Sequence, residues 1–244
     1  MEVIIIMIKM QNFFRKPKIK LLLLLCVLAV IALLTDYNIS NCWPLLTVSI
    51  AASIFTQMLF FGTNSSSSFQ SAAVTGMIIG LLIAPGSNLL ICLIASFTAI
   101  ASKKIIVYRK NKHIFNPAAF GLIISLFIFG NHINWWGNSS FIIVIIIGGF
   151  ILFRLNRLSF PFSYFIFRII SASILMGLGS FISLLLLPNL FFAFIMLPEP
   201  KTTPGKRIPQ WIFGGICGIL ATTAYYFIPE FEGDLLALLV VNLY

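Results

Sequence analysis

Long apolar runs recur from residue 19 to the end of the chain, and no polar stretch between them exceeds about a dozen residues. Hydrophobic residues make up 60% of the 244 positions and charged residues only 9%. A soluble domain carries about 25% charged residues, so a soluble fold could not cover this much apolar surface. The sequence therefore predicts an all-α polytopic membrane protein, because helices satisfy their own backbone hydrogen bonds in lipid.

The apolar runs divide into about ten predicted transmembrane segments. Several are shorter than the roughly 20 residues that a straight span needs. We therefore expect short, broken helices that are buried in protein or face a polar cavity. The predicted segments cover about 19–35, 43–61, 71–84, 88–107, 115–130, 141–153, 161–178, 181–197, 208–228 and 232–244.

The formal net charge of +10 comes from short basic clusters between the apolar segments, which indicates a topology signal rather than a nucleic-acid surface. With ten segments, all basic clusters fall on one side, starting with a basic N-terminal segment at 1–18. The positive-inside rule makes that side cytoplasmic. The sequence predicts a multi-pass protein of the inner (cytoplasmic) membrane with both termini cytoplasmic. The acidic loop 229–234 and Asp36 are expected outside, with Asp234 in solvent near the outer end of segment ten.

The two halves of the chain resemble each other at an offset of about 115 residues. Residues 71–88 and 186–204 both end an apolar run in a proline-containing turn. FNPAAFGLII (115–124) and EGDLLALLVV (232–241) both place amide or acidic residues just before an apolar run. An odd number of segments in each copy inverts the second one. We therefore expect one membrane domain of two inverted five-helix repeats, at 19–130 and 141–244.

Asn116 and Pro117 begin the fifth predicted segment. Pro117 is tolerated in the first turn of a helix, and the Asn116 side chain can cap that helix. The free N–H groups and the positive dipole end of the helix would also suit an anionic or carbonyl-bearing ligand. The pair therefore predicts either a structural cap or a ligand contact.

Three sequence blocks carry a resemblance to a known family: SAAVTGMIIGLLIAP (71–85), FNPAAFGL (115–122) and FFAFIMLPEPKTTP (191–204), the last followed by IFGG and EGDLLALLVVN. In this order and spacing they resemble the family of the B subunit of the sodium-pumping NADH:quinone reductase and the D subunit of the Rnf electron-transport complex. The chain is shorter than the large members of that family, which leaves open a reduced, stand-alone relative.

The resemblance implies a ten-helix, two-repeat membrane subunit that carries flavin in an electron-transport chain coupled to cation movement. It also implies partners, either other redox subunits or a soluble flavin or iron–sulfur protein. In the family, FMN is joined to a threonine in an S-G-A-T-like stretch between segments five and six. The corresponding region, GNHINWWGNSSF (130–141), has no threonine. We therefore expect FMN or riboflavin to be held noncovalently.

The candidate cofactor-binding residues combine the resemblance with the chemistry of the side chains. By the resemblance, Glu199 matches the aspartate of the family's D-P-x-T-S-P motif, although a solvated turn would also explain it. Thr202 and Thr203 can cap the turn or bond phosphate. The full set is Thr75, Asn116, Pro117, Trp135, Trp136, Arg168, Glu199, Thr202 and Thr203. No catalytic or metal-ligating residue is predicted.

Four of these candidates have equally simple structural interpretations. The Thr75 hydroxyl can bond back to its own helix. Trp135 and Trp136 can form an interfacial belt or stack on a flavin ring. Arg168 lies about two turns into segment seven, where it either snorkels to the interface or faces a polar cavity or anionic ligand.

A transporter or channel for a small neutral or anionic solute remains the main alternative function. Inverted repeats, half-helices and an intramembrane arginine fit that class equally well. A scaffold subunit with neither activity is a third, weaker interpretation.

Overall fold

The computed structural model describes residues 17–35, 39–62, 66–108, 112–130, 133–177 and 189–243. These ranges are all-α apart from a hairpin of two short strands, β1 (Val107–Tyr108) and β2 (Lys112–His113). The described helices are α1 (Pro17–Thr35), α2 (Ile39–Phe61), α3 (Ser66–Leu82), α4 (Leu89–Ile105), α5 (Pro117–Phe129), α6 (Phe141–Arg154), α7 (Ser159–Met176), α8 (the π-helical turn Phe192–Met196), α9 (Arg207–Phe227) and α10 (Gly233–Val241).

The described helices follow the predicted apolar segments in order. One difference lies in the third segment, which is predicted to start at about residue 71, whereas α3 already begins at Ser66. Residues 1–16 and 178–188 lie outside the described residues. Most of the predicted basic N-terminal segment and the first half of predicted segment eight therefore fall outside them too.

Two helices, Ile39–Phe61 and Ser159–Met176, are long and apolar enough to cross a membrane by length and composition. Large apolar side chains are also exposed around the bundle, among them Phe127, Ile146 and Ile174. An apolar surface of this extent is unfavourable in water and suits contact with lipid.

Two trios of helices form much of the core, and they pack in the same way. In the first half α4 packs against both α2 and α5, and in the second half α9 packs against both α7 and α10. The Ser96 hydroxyl donates to the Ser49 carbonyl, 3.1 Å away, and joins α4 to α2. The Thr222 hydroxyl likewise donates to the Arg168 carbonyl at 3.4 Å and joins α9 to α7.

The close approach of α5 to α4 depends on a glycine. A Cβ built on Gly121 would collide with the carbonyl oxygen of Ala95. Because backbone packs directly on backbone there, α5 sits deep in the bundle although it has only 13 residues. Its first turn, which contains Asn116 and Pro117, is thereby held in the interior.

Candidate functional site

A cavity of about 470 Å³ lies between the two halves of the chain. Cavities that hold small ligands typically measure roughly 300–1,000 Å³, so this one is large enough for a cofactor-sized molecule. Apolar side chains from α1, α3, α6 and α8 form most of its wall, including Val74, Ile78, Leu152 and Phe194. Its polar lining residues are Lys18, Gln70, Ser71, Thr75, Asn116, Glu199 and Lys201.

Asn116 caps α5 and ties it to two other elements. Its side-chain oxygen accepts a hydrogen bond from the Ala119 N–H at 3.1 Å, and Pro117 occupies the first turn. The predicted cap is therefore confirmed. The Asn116 side-chain amide donates to the Met196 carbonyl at 3.3 Å, and its backbone N–H donates to the Asn242 side-chain oxygen at 2.8 Å. The start of α5 is thus fixed against α8 and the end of α10.

Glu199 lies in the turn that follows α8 and lines the same cavity. One carboxylate oxygen, Oε1, is 3.6 Å from the His113 Nε2 atom. The other, Oε2, is buried and has no hydrogen-bond partner among the residues that the structure describes. Only 26% of the Glu199 side chain is exposed, so the turn is more enclosed than a simple solvated loop.

Hydrogen bonds from Arg157 and Thr203 stabilise this turn. The Thr203 hydroxyl donates to the Glu199 carbonyl at 2.5 Å and accepts a hydrogen bond from Arg157 at 2.7 Å. Arg157 also donates to the Pro198 carbonyl at 3.4 Å. The Thr202 hydroxyl oxygen is buried without a partner among the described residues. Thr203 therefore has a structural role, whereas Thr202 keeps a hydrogen-bonding capacity.

Thr75 forms part of the opposite wall. Its hydroxyl donates to the Ser71 carbonyl at 2.9 Å, which confirms the predicted bond back to its own helix. The same oxygen accepts a hydrogen bond from the ammonium group of Lys103 at 3.0 Å. The Lys103 amino group, at the end of α4, therefore lies directly behind this wall.

Four of the nine candidate residues line the cavity together: Thr75, Asn116, Pro117 and Glu199. They come from the three sequence blocks that carry the family resemblance, and the fold brings these blocks to one place. Thr202 and Thr203 belong to the adjoining turn. The other three candidates, Trp135, Trp136 and Arg168, lie elsewhere.

Arg168 belongs to a separate buried polar cluster. Its guanidinium binds both the Asp234 carboxylate and the Tyr164 hydroxyl. The Tyr164 hydroxyl donates to the same carboxylate oxygen at 2.6 Å, and the Asn189 amide donates to the other oxygen at 3.0 Å. Arg168 therefore faces a polar interior instead of snorkelling, and the anion it meets belongs to the chain itself.

The expectation that Asp234 is solvated is wrong, since only 8% of its side chain is exposed. The reason is the length of α10. This helix has nine residues, about 13 Å of rise, and its first turn packs against α9. Asp234 therefore reaches Arg168, which lies about midway along α7, rather than the outer surface.

The two tryptophans also lie outside the cavity. Trp136 is fully buried, and its indole N–H donates to the carbonyls of Gly80 and Ile83 at 3.0 and 3.1 Å. A position in an interfacial belt is therefore wrong for Trp136, because the last turn of α3 leaves carbonyls that need a donor. Trp135 is half-buried and donates to the Glu232 carboxylate at 3.1 Å.

Sequence reasoning missed the lysines of the cavity. Lys18 and Lys201 line it, and Lys103 stands behind Thr75. Each had been assigned to a cytoplasmic cluster as a topology signal. A clue was available, because Lys201 directly follows the PEP turn and lies inside the third block that carries the family resemblance.

The comparison with protein families gives a single result. The model of the NQR2, RnfD, RnfE family matches residues 10–140, which is more than half of the chain. No curated protein matches the sequence. The matched range contains two of the three resembling blocks and the α3 and α5 walls of the cavity. This is a family of membrane subunits of the ion-translocating Rnf and Nqr redox complexes, which are multisubunit assemblies. The chain belongs to the NQR2, RnfD, RnfE family.

Proposed function

We propose that the chain carries electrons through a flavin, FMN or riboflavin, held noncovalently in the cavity between its two halves. The observation that carries the proposal is the convergence of Thr75, Asn116 and Glu199 on that one cavity. Members of this family bind flavin in Rnf and Nqr complexes. These three residues lie in the blocks through which the chain resembles the family.

The unused polar atom of the site fits a flavin. The ring system has an imide N–H donor and carbonyl acceptors at one edge, and the ribityl chain carries hydroxyls. Glu199 Oε2 is a buried acceptor without a partner among the described residues. Buried polar groups are normally hydrogen-bonded, so this atom can accept a hydrogen bond from a donor on a ligand. The apolar wall suits the flat ring.

A flavin supplies one- and two-electron transfer, and the protein supplies binding, orientation and the local electrostatic field. In this proposal Glu199 contacts the ligand, while Asn116 and Pro117 fix the floor of the cavity. Thr75 forms the opposite wall with Lys103 behind it. Electrons enter and leave through partner subunits of the complex, and coupling to cation movement belongs to that assembly.

Attachment of the flavin is proposed to be noncovalent. The stretch between α5 and α6 contains no threonine from residue 130 to residue 141. Its Asn138 side chain is already engaged, because it accepts a hydrogen bond from the Phe191 N–H at 3.2 Å.

We further propose ten membrane segments in two inverted five-helix repeats, at 19–130 and 141–244, with both termini cytoplasmic. The helix order supports this arrangement, because the trio α2, α4 and α5 packs like the trio α7, α9 and α10. Each trio also contains a hydroxyl-to-carbonyl hydrogen bond from its middle helix, donated by Ser96 in the first trio and by Thr222 in the second. The FNP and PEP turns also line the same cavity, which is compatible with this arrangement.

The first test is a visible absorption spectrum of the detergent-purified protein before and after acid denaturation. Cells for expression receive riboflavin and the matching flavin transferase. Flavin bands whose chromophore is released into the supernatant would support a noncovalent carrier. Flavin that stays with the pellet would contradict noncovalent attachment, and no flavin would contradict the proposal as a whole.

A matched pair of variants assigns the flavin to the cavity. Glu199→Gln removes the charge of the buried acceptor, whereas Glu230→Gln makes the same change at an exposed position between α9 and α10. We expect about tenfold weaker flavin binding in Glu199→Gln only, as for the loss of one charged hydrogen bond. Equal binding in both variants would mean that the flavin binds elsewhere.

One observation favours the rival function, a carrier of a small solute. The cavity is lined by both halves of the chain, and substrate sites of inverted-repeat transporters lie at such a boundary. The spectrum separates the two proposals. Protein without flavin that nevertheless takes up solute in vesicles would favour the carrier.

A further inference from the structure

A second, smaller cavity lies at one end of the bundle, where the last turn of α6 meets the first turns of α7 and α9. Its volume is about 220 Å³. Sites for whole small ligands typically measure roughly 300–1,000 Å³, so this cavity suits only part of a molecule, such as a headgroup. We call it the rim pocket. Its lining combines three polar and three aromatic side chains: Asn156, Ser159, Arg207, Phe153, Phe162 and Trp211.

A buried glutamine joins the two loops that form the rim pocket. The Gln210 side-chain amide donates to the Asn156 carbonyl at 3.2 Å and to the Gly205 carbonyl at 3.0 Å. Asn156 has a left-handed backbone with φ of 54°, a conformation that asparagine adopts more readily than most residues. The chain itself therefore fixes the shape of the pocket.

The rim pocket carries a positive charge that is not compensated within the described chain. Arg207 forms no hydrogen bond or ion pair with the described residues, and the side chains of Asn156 and Ser159 have no hydrogen-bond partner among them. None of the described residues that line the pocket is acidic. The positive dipole ends of α7 and α9 add to the charge of Arg207. A guanidinium with neutral donors beside it and no carboxylate is suited to binding a phosphate group.

An apolar stripe on α7 starts at the rim pocket and runs along the helix away from it. Phe162, Ile166, Ile170 and Ile174 follow one another at intervals of four residues, and all four side chains are exposed. From the first to the last of them the helix rises by about 18 Å, close to half of a hydrocarbon core of roughly 30 Å. A ligand that matches both features has a phosphate in the pocket and an apolar chain along the stripe.

An exposed tryptophan indicates how deep the rim pocket lies in the membrane. Trp211 lines the pocket from the first turns of α9 and remains partly exposed. Tryptophan is enriched where the hydrocarbon core meets the lipid headgroups. The pocket therefore lies at headgroup level, with the stripe below it in the hydrocarbon.

We propose that the rim pocket binds the phosphate of an acidic phospholipid, whose acyl chain lies along the stripe on α7. Arg207 supplies a charge-assisted hydrogen bond, and Asn156 and Ser159 supply neutral ones. A zwitterionic lipid brings a cationic group next to its phosphate, which repels Arg207, so the pocket selects acidic lipids. This inference goes beyond the proposed electron transfer and does not depend on a flavin.

The test measures lipid binding to the purified full chain in detergent by native mass spectrometry. Phosphatidylglycerol and phosphatidylcholine with identical acyl chains are titrated, and glycerol 3-phosphate serves as a headgroup without chains. Arg207→Gln removes the charge of the pocket. Arg154→Gln is the matched control, because Arg154 is exposed at the end of α6, lies over the Phe150 ring at 5.3 Å and does not line the pocket.

We expect wild type and Arg154→Gln to bind phosphatidylglycerol at least about tenfold more tightly than phosphatidylcholine. Arg207→Gln should bind the two lipids equally, with unchanged affinity for phosphatidylcholine, which also shows that it is folded. Arg207→Lys keeps the charge without the planar fork and should fall between wild type and Arg207→Gln. Glycerol 3-phosphate should bind at least about tenfold more weakly than phosphatidylglycerol, because it buries no acyl chain.

Three results would overturn the inference. The first is equal affinity of wild type for the two lipids. The second is an equal loss in Arg154→Gln and Arg207→Gln, which would mean a diffuse attraction to the basic surface. The third is binding of glycerol 3-phosphate as tight as that of phosphatidylglycerol, since the pocket would then serve a soluble phosphate compound. No arm of the test uses flavin, so each of these results leaves the proposed function unaffected.

Discussion

The buried ion pair between Arg168 and Asp234 leads to a quantitative prediction about stability. Removing one partner of a buried pair costs about 3–5 kcal/mol, because the remaining charge loses its compensation. Arg168→Met leaves the Asp234 carboxylate with donors from Tyr164 and Asn189, so we expect the lower end of this range. Asp234→Leu strands a guanidinium whose Nε already lacks a partner among the described residues, so we expect the upper end.

The assay is thermal unfolding in detergent, followed with a fluorophore that reacts with buried cysteines as they become exposed. Cys217 is fully buried and lies near the pair, so it reports on this region. A loss of this size lowers the Tm by roughly 6–20 °C for a chain of this length. The control is Arg154→Met, which removes an exposed guanidinium and should leave the Tm nearly unchanged.

The double variant Arg168→Met/Asp234→Leu completes a double-mutant cycle, which compares its loss of stability with the losses of the two single variants. Replacing a whole buried pair by apolar residues of similar volume is often close to neutral. The double variant should therefore be more stable than Asp234→Leu alone, with a clear coupling energy between the two positions. The reasoning would be refuted if the two losses simply added, or if neither single variant differed from Arg154→Met.

Three further outcomes follow from the structure. Gly121→Ala should cost about 1–3 kcal/mol of stability because its methyl group would collide with α4, whereas Gly205→Ala, which meets no atom within 4 Å, should be nearly neutral in the same unfolding assay. Asn116→Ser keeps an oxygen that can cap α5, so it should be more stable than Asn116→Ala, which loses the cap at about 1 kcal/mol; equal Tm values would contradict the capping role. Burial raises the pKa of Glu232, in the connection between α9 and α10, so its contribution to stability is present at low pH and is lost as the pH rises through the pKa in the folded protein. Glu232→Gln keeps an oxygen for the Trp135 indole N–H, and it should remove this part of the pH dependence of the Tm.

Most of the helices could be predicted from signals that are local in the sequence. The boundaries follow from apolar runs that end in Pro, Gly or polar residues, and lipid enforces that pattern because it cannot satisfy a free backbone group. The cap at Asn116 follows from two adjacent residues, Asn and Pro, whose preferences act within one turn. The back-bond of Thr75 is equally local, since its partner Ser71 lies one turn away.

Partners far apart in sequence were not predictable in this way. Arg168 and Asp234 both stand out in sequence as charges near apolar runs, yet 66 residues separate them. Nothing local indicates that α10 is short enough to bring its first turn to the middle of α7. The interfacial position predicted for Trp136 was wrong for a related reason. The carbonyls that its indole N–H binds lie at the end of α3 and just after it, more than 50 residues earlier in the sequence.

The polar residues around the cavity fall into two groups. In one group the polar atoms are already hydrogen-bonded within the chain, and in the other a polar atom is still available to a ligand. The Asn116 side-chain oxygen accepts the hydrogen bond that caps α5, and its amide donates to the Met196 carbonyl. Both contacts are therefore structural. Glu199 is different, because Oε2 is buried without a partner among the described residues. Substitution of Asn116 should therefore lower stability and flavin affinity together, since a displaced frame disturbs both. Glu199→Gln should lower flavin affinity and change the Tm less than substitution of Asn116 does, because Oε2 has no described hydrogen-bond partner to lose. The opposite pattern would mean that Asn116 binds the ligand directly and that Glu199 only shapes its turn.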